Sequence, residues 1–427
     1  MTSTTDPELR SFIPVRTDSH FPIQNLPYGV FCNKAGGKPR VGVAIGDHVL
    51  DLALLEERKL IEVPGNINER VFARTSLNCF MSLGRKACQE VREDISHLLQ
   101  ADVTTLRDDA DLRHRAFLPL EQVELLMPVE IGDYTDFYSS CEHATNVGTM
   151  LRGAENALNP NWLHLPVAYH GRASSVVASG TNIHRPCGQR KAESSDTPVF
   201  GPSKAVDFEL EMGFVVGTGN ELGNPITTAS ALDHIFGMVI VNDWSARDIQ
   251  KWEYQPLGPF LSKNFATSIS PWVVTLDALE PFRASGPVQD PKPLPYLQSR
   301  ENSTFDVHLQ VALQTSQLKK KETICSSNMR YLYWNIAQQV AHHTITGCNL
   351  RTGDLLATGT ISGPTPDSLG CLLEMTQGGK QPIILSDGES RGFLNDGDRV
   401  IMSAWCQGDG YRVGFGEVVG TVLPAGT

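Results

Sequence analysis

No stretch of about 18 consecutive apolar residues occurs in the 427-residue sequence, so it offers no membrane-spanning helix. The first ten residues, Met1-Thr-Ser-Thr-Thr-Asp-Pro-Glu-Leu-Arg10, lack the apolar segment of a secretory signal, and a soluble, cytosolic protein is expected. Positive charge is in deficit. Lys and Arg number 36 against 48 Asp and Glu, a formal net charge of −12, which leaves no concentrated basic surface for nucleic acid. Cys-x-x-Cys spacing is absent. The nine cysteines are scattered, the closest being Cys79 and Cys88, so neither a disulfide framework nor a thiolate zinc site is expected and a reducing compartment fits. His342-His343 lacks the His-Glu-x-x-His spacing of a zinc hydrolase, and the glycine-rich run Gly408–Gly416 fits neither a phosphate loop nor a dinucleotide fingerprint. Gly388-Glu-Ser390-Arg-Gly392 has the letters of a nucleophile elbow, but a polar turn leading into a strand-like run is the wrong setting for one.

What is present is ordinary globular composition, 41% hydrophobic and 20% charged, without internal repeats or low-complexity tracts. One hydrophobic core rarely grows past about 250–300 residues, so two domains are expected. A composition shift near Leu126-Met-Pro-Val129 places the boundary, giving residues 1–127 and 128–427. Residues 1–11 read as a loose tail. Val41–Leu50 reads as a hairpin turning at Gly46-Asp47. Val91, Ile95, Leu98 and Leu99 recur at helical spacing, predicting one or two helices over 84–116. Beyond the boundary strands dominate: Val206–Val216, Gly237–Val241, the alternating Phe305–Gln314, and a strand, glycine turn and strand over Arg399–Leu423. Helices are expected at about 228–236 and 329–343, with Gly347 as the stop of the second. The balance is a mainly β, α+β fold rather than alternating βαβ units.

Three constellations could carry chemistry. In Asp207-Phe-Glu209-Leu-Glu211-Met, strand alternation sets Glu209 and Glu211 on one face. Two carboxylates beside an apolar run repel unless a cation lies between them, and Mg²⁺ or Ca²⁺ prefers such oxygens; the plainer account is a solvated strand face. Gly237–Gln250 delivers Asp243 at the end of an apolar strand, with Arg247 and Gln250 three residues apart on one helical turn. Asp243 is then either a third carboxylate, beside donors to an oxyanion, or a helix cap followed by ordinary surface charges. Gly132–Asn146 gathers Asp136, Tyr138 and His143, and a histidine titrating near neutrality suits a general base, although a lone histidine is more often structural.

Together these segments resemble the fumarylacetoacetase family. The resemblance rests on Phe21–Phe31 (Phe-Pro-Ile-Gln-Asn-Leu-Pro-Tyr-Gly-Val-Phe), Gly132–Ser140, Asn161–Val167, Tyr169–Ser175, Asn242–Gln250, Trp252–Phe260 (Trp-Glu-Tyr-Gln-Pro-Leu-Gly-Pro-Phe) and Gly408–Gly416, in order along almost the whole chain. The carboxylate pattern marks a wider superfamily of hydrolases, decarboxylases and isomerases; the first phrase and Trp252–Phe260 are narrower. The resemblance implies a small SH3-like N-terminal barrel, a large C-terminal mixed β-roll and a homodimer. It implies hydrolysis of the carbon–carbon bond of fumarylacetoacetate to fumarate and acetoacetate, the last step of tyrosine and phenylalanine breakdown.

It also implies roles by position. Asp136, Glu209, Glu211 and Asp243 match metal ligands, for Mg²⁺ or Ca²⁺, with Lys263 and Thr267 at further metal-proximal positions. His143 matches the general base and Glu374 its orienting carboxylate. Arg247, Gln250 and Lys263 match groups that stabilise oxyanion and carbanion. Tyr138, Arg152, Tyr169, Gln250, Tyr254 and Thr360 match substrate-binding positions. Cys141 and Glu142 depart from the Arg-Gln or Arg-Glu expected beside the histidine, and Ser262 and Ala266 stand where glycines are expected. An acylpyruvase or decarboxylase of the same superfamily, or a catalytically silent scaffold, are the competing readings.

Overall fold

The hairpin forms where alternation predicts it. Arg40–Ile45 pairs antiparallel with His48–Asp51, and Gly46 takes the left-handed φ of +55° that the tight turn requires. In this computed structural model, which describes residues 3–65, 70–192, 194–318 and 320–426, the hairpin belongs to a 5-stranded antiparallel sheet. Its order is Phe117–Pro119, His48–Asp51, Arg40–Ile45, Tyr28–Asn33, Val123–Leu126. The helical region holds three helices rather than one or two. Arg85–Leu99 buries Val91, Ile95, Leu98 and Leu99 as their spacing predicts. It stops because Gln100 turns extended and bridges Ser11. Thr104–Arg107 and Ala110–Ala116 follow, the latter capped by the Asp109 side chain. The expected loose tail is tied down from Ser3 onward. Gln24 Nε2 donates to the carbonyls of Asp6 and Leu9, and the buried Arg92 donates through Nε to Thr4 Oγ1.

Beyond residue 128 an 8-stranded sheet forms the centre, in the order Ala168–Gly171, Tyr134–Phe137, Leu355–Ala357, Leu210–Val216, Ile235–Asp243, Thr267–Ile269, Val176–Ala178, with Val274–Thr275 also against Ile235–Asp243. Alternation splits its side chains between two cores. Leu210, Met212, Phe214 and Val216 enter one core, to which the second 5-stranded sheet (Glu322–Asn328, His308–Gln314, Arg399–Gln407, Arg412–Leu423, Ile183–His184) also contributes. Val215, Val239, Val241, Leu355 and Ala357 enter the other, which contains Tyr28, Phe72 and Phe80. Residues on either side of the expected boundary therefore share one apolar layer, on the sheet face to which the acids also turn. The architecture is the mainly β, α+β class expected.

Three further elements differ from the sequence expectations. The strand expected over Val206–Val216 is broken into Val206–Asp207 and Leu210–Val216. The side chains of Asp207 and Asn242 intercept the backbone N–H groups of Phe208 and Glu209. The segment near 228–236 holds only a one-turn 3₁₀ helix, Ala231–His234, before Ile235 starts a strand. The later helix begins at Ile336, not 329, because Asn335 and Gln338 form a reciprocal capping box. Gly347 stands beyond its end with φ of +95°, as the stop signal implied.

The helix that matters most for function is Cys141–Arg152, which carries His143. It lies so close to the following loop that a Cβ added at Gly148 would stand 1.7 Å from the Ala157 carbonyl oxygen. Gly148→Ala is expected to destabilise the protein by about 1–3 kcal/mol through overpacking against backbone, read as a lower denaturation midpoint; an unchanged midpoint would contradict this packing.

Candidate active site and metal centre

The central sheet delivers the acids by register. Asp136 lies opposite Ala357, Glu211 opposite Val241, and Asp243 ends its strand opposite Thr267. The period of two that turns Tyr134, Val215 and Val241 toward the N-terminal residues turns Asp136, Glu211 and Asp243 the same way. Glu209 joins them from the break between two strands, so the simple alternation expected for Glu209 and Glu211 is not how the pair is assembled. All four are buried and offer oxygens within 4.8 Å of one another.

Positive charge reaches one side of this cluster. Lys263 bonds Glu209 and lies 2.9 Å from Asp243 Oδ2. Arg247 Nη1 lies 2.8 Å from Glu209 Oε1. Burial alone would raise the Glu209 pKa, but these cations outweigh it and hold the carboxyl below its usual range. Asp136 and Glu211 make no ion pair among the described residues, and Lys263 lowers both only from a distance: burial and the neighbouring carboxylates push both well above the usual carboxylate range. Asp136 Oδ1 and both carboxylate oxygens of Glu211 find no hydrogen-bond partner among the described residues. Buried, unpartnered, mutually repelling carboxylate oxygens are the donor set that suits a hard divalent cation, so the residues present fit such an ion. Thr267 Oγ1 donates to Asp243 Oδ1 at 2.7 Å and the Tyr169 hydroxyl donates to Asp243 Oδ2 at 2.7 Å. Thr267 and Lys263 thus meet the cluster through side-chain contacts with an acid. A lysine ammonium has no lone pair for a metal.

A second arrangement stands on the helix Cys141–Arg152. His143 Nδ1 is 2.6 Å from Glu374 Oε2. Glu374 also accepts from Asn146 Nδ2 at 2.9 Å, Ser362 Oγ at 2.8 Å and Cys371 Sγ at 3.1 Å. Burial would raise the Glu374 pKa, but His143 and these donors keep it lowered. An ionised carboxylate on Nδ1 selects the tautomer whose Nε2 lone pair is free, the arrangement of a general base. The Tyr138 ring packs edge-on against His143 with centroids 5.1 Å apart.

The remaining expected residues divide. Gln250 Oε1 accepts from Arg247 Nη1 at 3.1 Å, so it belongs to the Arg247 side of the cluster. Thr360 is buried with its hydroxyl unpartnered among the described residues. Arg152 is exposed and bonds its own neighbourhood, donating to the carbonyls of Asn156 and Ala157; its charge reaches the site only as a lowering influence on the Tyr138 phenol. Tyr254 caps the helix Arg247–Glu253, and its hydroxyl accepts from Gln255 Nε2. The capping account of Asp243 is not realised, because Ala246 occupies the cap position and Arg247 is buried. Ser390 and the His342-His343 pair stand apart from the cluster, His343 bonding Thr135.

Sequence reasoning missed Asp207. It is fully buried and accepts from Arg247 Nε at 2.9 Å, from the Phe208 N–H, and from the backbone N–H groups of Leu372 and Leu373 at 2.8 and 2.9 Å. One carboxylate thereby holds both Arg247 and the first turn of Leu372–Met375, which carries Glu374. The signal was present, since Asp207 precedes Glu209 and Glu211 at the same two-residue spacing. Asp207→Ala is expected to destabilise the fold by about 3–5 kcal/mol, because it leaves Arg247 buried beside a missing partner; urea denaturation measures this, and a loss below 1 kcal/mol would remove Asp207 from that role.

The chain matches the fumarylacetoacetase N-terminal family over residues 24–128 and the fumarylacetoacetate (FAA) hydrolase C-terminal family over residues 134–423. It is 57% identical to a fumarylacetoacetase of Bos taurus over 415 residues, covering 97% of this chain and 99% of that one. It is 55% identical to one of Arabidopsis thaliana over 417 residues, covering 98% and 99%. A solved fumarylacetoacetate hydrolase from psychrophilic Exiguobacterium antarcticum shares the fold, with a TM-score of 0.52 at 19% identity over 93% of this chain and 99% of that chain. With both family matches in sequence order, and half or more of the residues shared with full-length relatives, this chain belongs to the fumarylacetoacetase family.

Proposed function

We propose that this enzyme hydrolyses the carbon–carbon bond of 4-fumarylacetoacetate to fumarate and acetoacetate, closing the breakdown of tyrosine and phenylalanine. The observation that carries the mechanism is the His143–Glu374 contact of 2.6 Å beside a buried cluster of four acids. His143 Nε2 takes a proton from water, and Glu374 stabilises the imidazolium that forms. The hydroxide adds to the ketone carbon of the fumaryl group, which becomes a carboxyl carbon of fumarate. The bond to the acetoacetate carbon then breaks, and that carbon leaves as an enolate which takes up a proton. Negative charge develops on two oxygens. Arg247 keeps Nη2 unpartnered among the described residues while Asp207, Glu209 and Gln250 fix the rest of its guanidinium, so it retains a donor for one of them. Lys263 brings a second cation, and burial of the site strengthens both. A divalent cation, Mg²⁺ or Ca²⁺, held by Asp136, Glu209, Glu211 and Asp243 would supply Lewis-acid polarisation and a template for the substrate oxygens.

Tyr138, Tyr169, Gln250, Thr360, Arg152 and Tyr254 complete the reading as substrate contacts, supported for the buried Thr360 and for Tyr138, Tyr169 and Gln250, which are half-buried and touch His143, Asp243 and Arg247. All nine cysteines are free, which supports work in a reducing cytosol, and the family resemblance supports a homodimer. Among the described residues no helix is long and apolar enough to cross a membrane.

The reading is tested by following loss of fumarylacetoacetate ultraviolet absorbance. Chelation is expected to abolish cleavage and Mg²⁺ or Ca²⁺ to restore it; turnover unaffected by chelator would remove the metal from the mechanism. Hydrolysis of acetylpyruvate in preference to fumarylacetoacetate would move the assignment to an acylpyruvase. His143→Ala is expected to keep the fold and calorimetric metal binding while turnover falls by about 10²-fold or more. Wild-type rates in that variant would dismiss His143 as the base.

A further inference from the structure

Cys371 is a fully buried thiol that the reaction does not use. Its Sγ lies 3.1 Å from Glu374 Oε2, the same oxygen that His143 Nδ1 approaches at 2.6 Å. His143, Cys371 and Glu374 each offer one ligand atom within 4.8 Å of the others, and all three are buried. This nitrogen, sulfur and oxygen set differs in kind from the all-carboxylate cluster nearby. Hard cations such as Mg²⁺ and Ca²⁺ select the carboxylates, whereas a thiolate with an imidazole selects borderline or soft cations.

The geometry points to a second, inhibitory metal site in which His143 Nδ1, Cys371 Sγ and Glu374 bind Zn²⁺ or Cd²⁺ and disable the general base. The ligands stand on two short-range anchors, the first turn of the helix Cys141–Arg152 and the one-turn helix Leu372–Met375 with its cap residue Cys371. Their contacts are hydrogen bonds through the thiol and imidazole protons. A cation with ligands at about 2.0–2.3 Å replaces those protons and needs the groups to separate by less than an ångström. Ser362 Oγ donates to the same Glu374 Oε2 at 2.8 Å, so a fourth oxygen stands beside the set. Burial and Glu374 keep the Cys371 thiol protonated until a metal arrives.

The protons balance simply. Cys371 releases its proton to solvent as the sulfur–metal bond forms. The cation takes the Nδ1 lone pair of His143, so the imidazole proton moves from Nδ1 to Nε2. One proton leaves per cation bound, and nothing is oxidised. An Nε2 that carries a proton cannot accept another from water, so hydrolysis stops while the carboxylate cluster keeps its own ion.

The test adds Cd²⁺ to the Mg²⁺-loaded enzyme, reading near-ultraviolet thiolate-to-cadmium absorbance and hydrolysis together. The inhibition arm rests on the hydrolase reading; the absorbance arm does not, so an enzyme without turnover would fail the former and still decide the latter. The expected result is inhibition that excess Mg²⁺ does not reverse, that a chelating dithiol does reverse, and that needs at least tenfold more Cd²⁺ in Cys371→Ser. The variant is also expected to bind one cadmium–thiolate fewer per chain, with Cys371→Ala as the second variant should the first fold poorly, and Cys141→Ser is expected to behave as the wild type. Equal sensitivity of Cys371→Ser and the wild type, or relief by Mg²⁺ alone, would overturn the site and put the inhibiting cation among the carboxylates.

Discussion

Four carboxylates brought within 4.8 Å of one another and sealed from water repel strongly, and the rest of the site is arranged around that repulsion. Two like charges about 4 Å apart interact by about 4 kcal/mol even at an effective dielectric of about 20. Lys263 and Arg247 neutralise the Glu209 side, which is why that carboxyl stays ionised despite burial. Asp136 and Glu211 receive no comparable cation, and their oxygens lack partners. The arrangement therefore calls for a divalent ion on one side and protein cations on the other. Both kinds of positive charge are then held next to a carbonyl chemistry that develops negative charge.

The apolar layers enforce the burial on which this depends. The acids share a sheet face with Val215, Val239 and Val241, and that face is covered by N-terminal residues such as Phe72 and Phe80. The N-terminal segment is thus part of the wall behind the metal cluster, although none of the residues assigned to the reaction lies in it. Opposite it, the second core supports the break in which Asp207 and Glu209 stand. Asp207 converts packing into alignment. By holding Arg247 and the first turn of the helix that carries Glu374 with one carboxylate, it relates the Arg247 side of the site to the His143 side.

Much of this was legible in the primary structure, for identifiable reasons. The alternation of Val41–Leu50, the helical spacing of Val91, Ile95, Leu98 and Leu99, and the acid at the end of Ile235–Asp243 are local patterns, and each appears where expected. The strand expected over Phe305–Gln314 starts instead at His308, with Thr304–Phe305 paired separately to Arg283–Ala284. Elements governed by side-chain competition were less visible. The strand break at Phe208-Glu209 arises from Asn242, 33 positions away in sequence. The helix start at Ile336 depends on a capping box inside a run whose apolar spacing continues upstream. The three-helix division of 84–116 depends on Gln100 meeting Ser11.

The sequence by itself determined the mainly β composition, the residue types of the site and, through its phrases, the family. These are properties of short segments, in which spacing and chemistry are fixed by covalent neighbours. Only the tertiary structure decided that Glu374 stands behind His143 across 231 positions, that Asp207 is a clamp, that Arg152 turns to its own backbone, and that Cys371 shares a Glu374 oxygen with His143. Such contacts join residues distant in sequence, and their geometry follows from burial and sheet register, which no local pattern encodes.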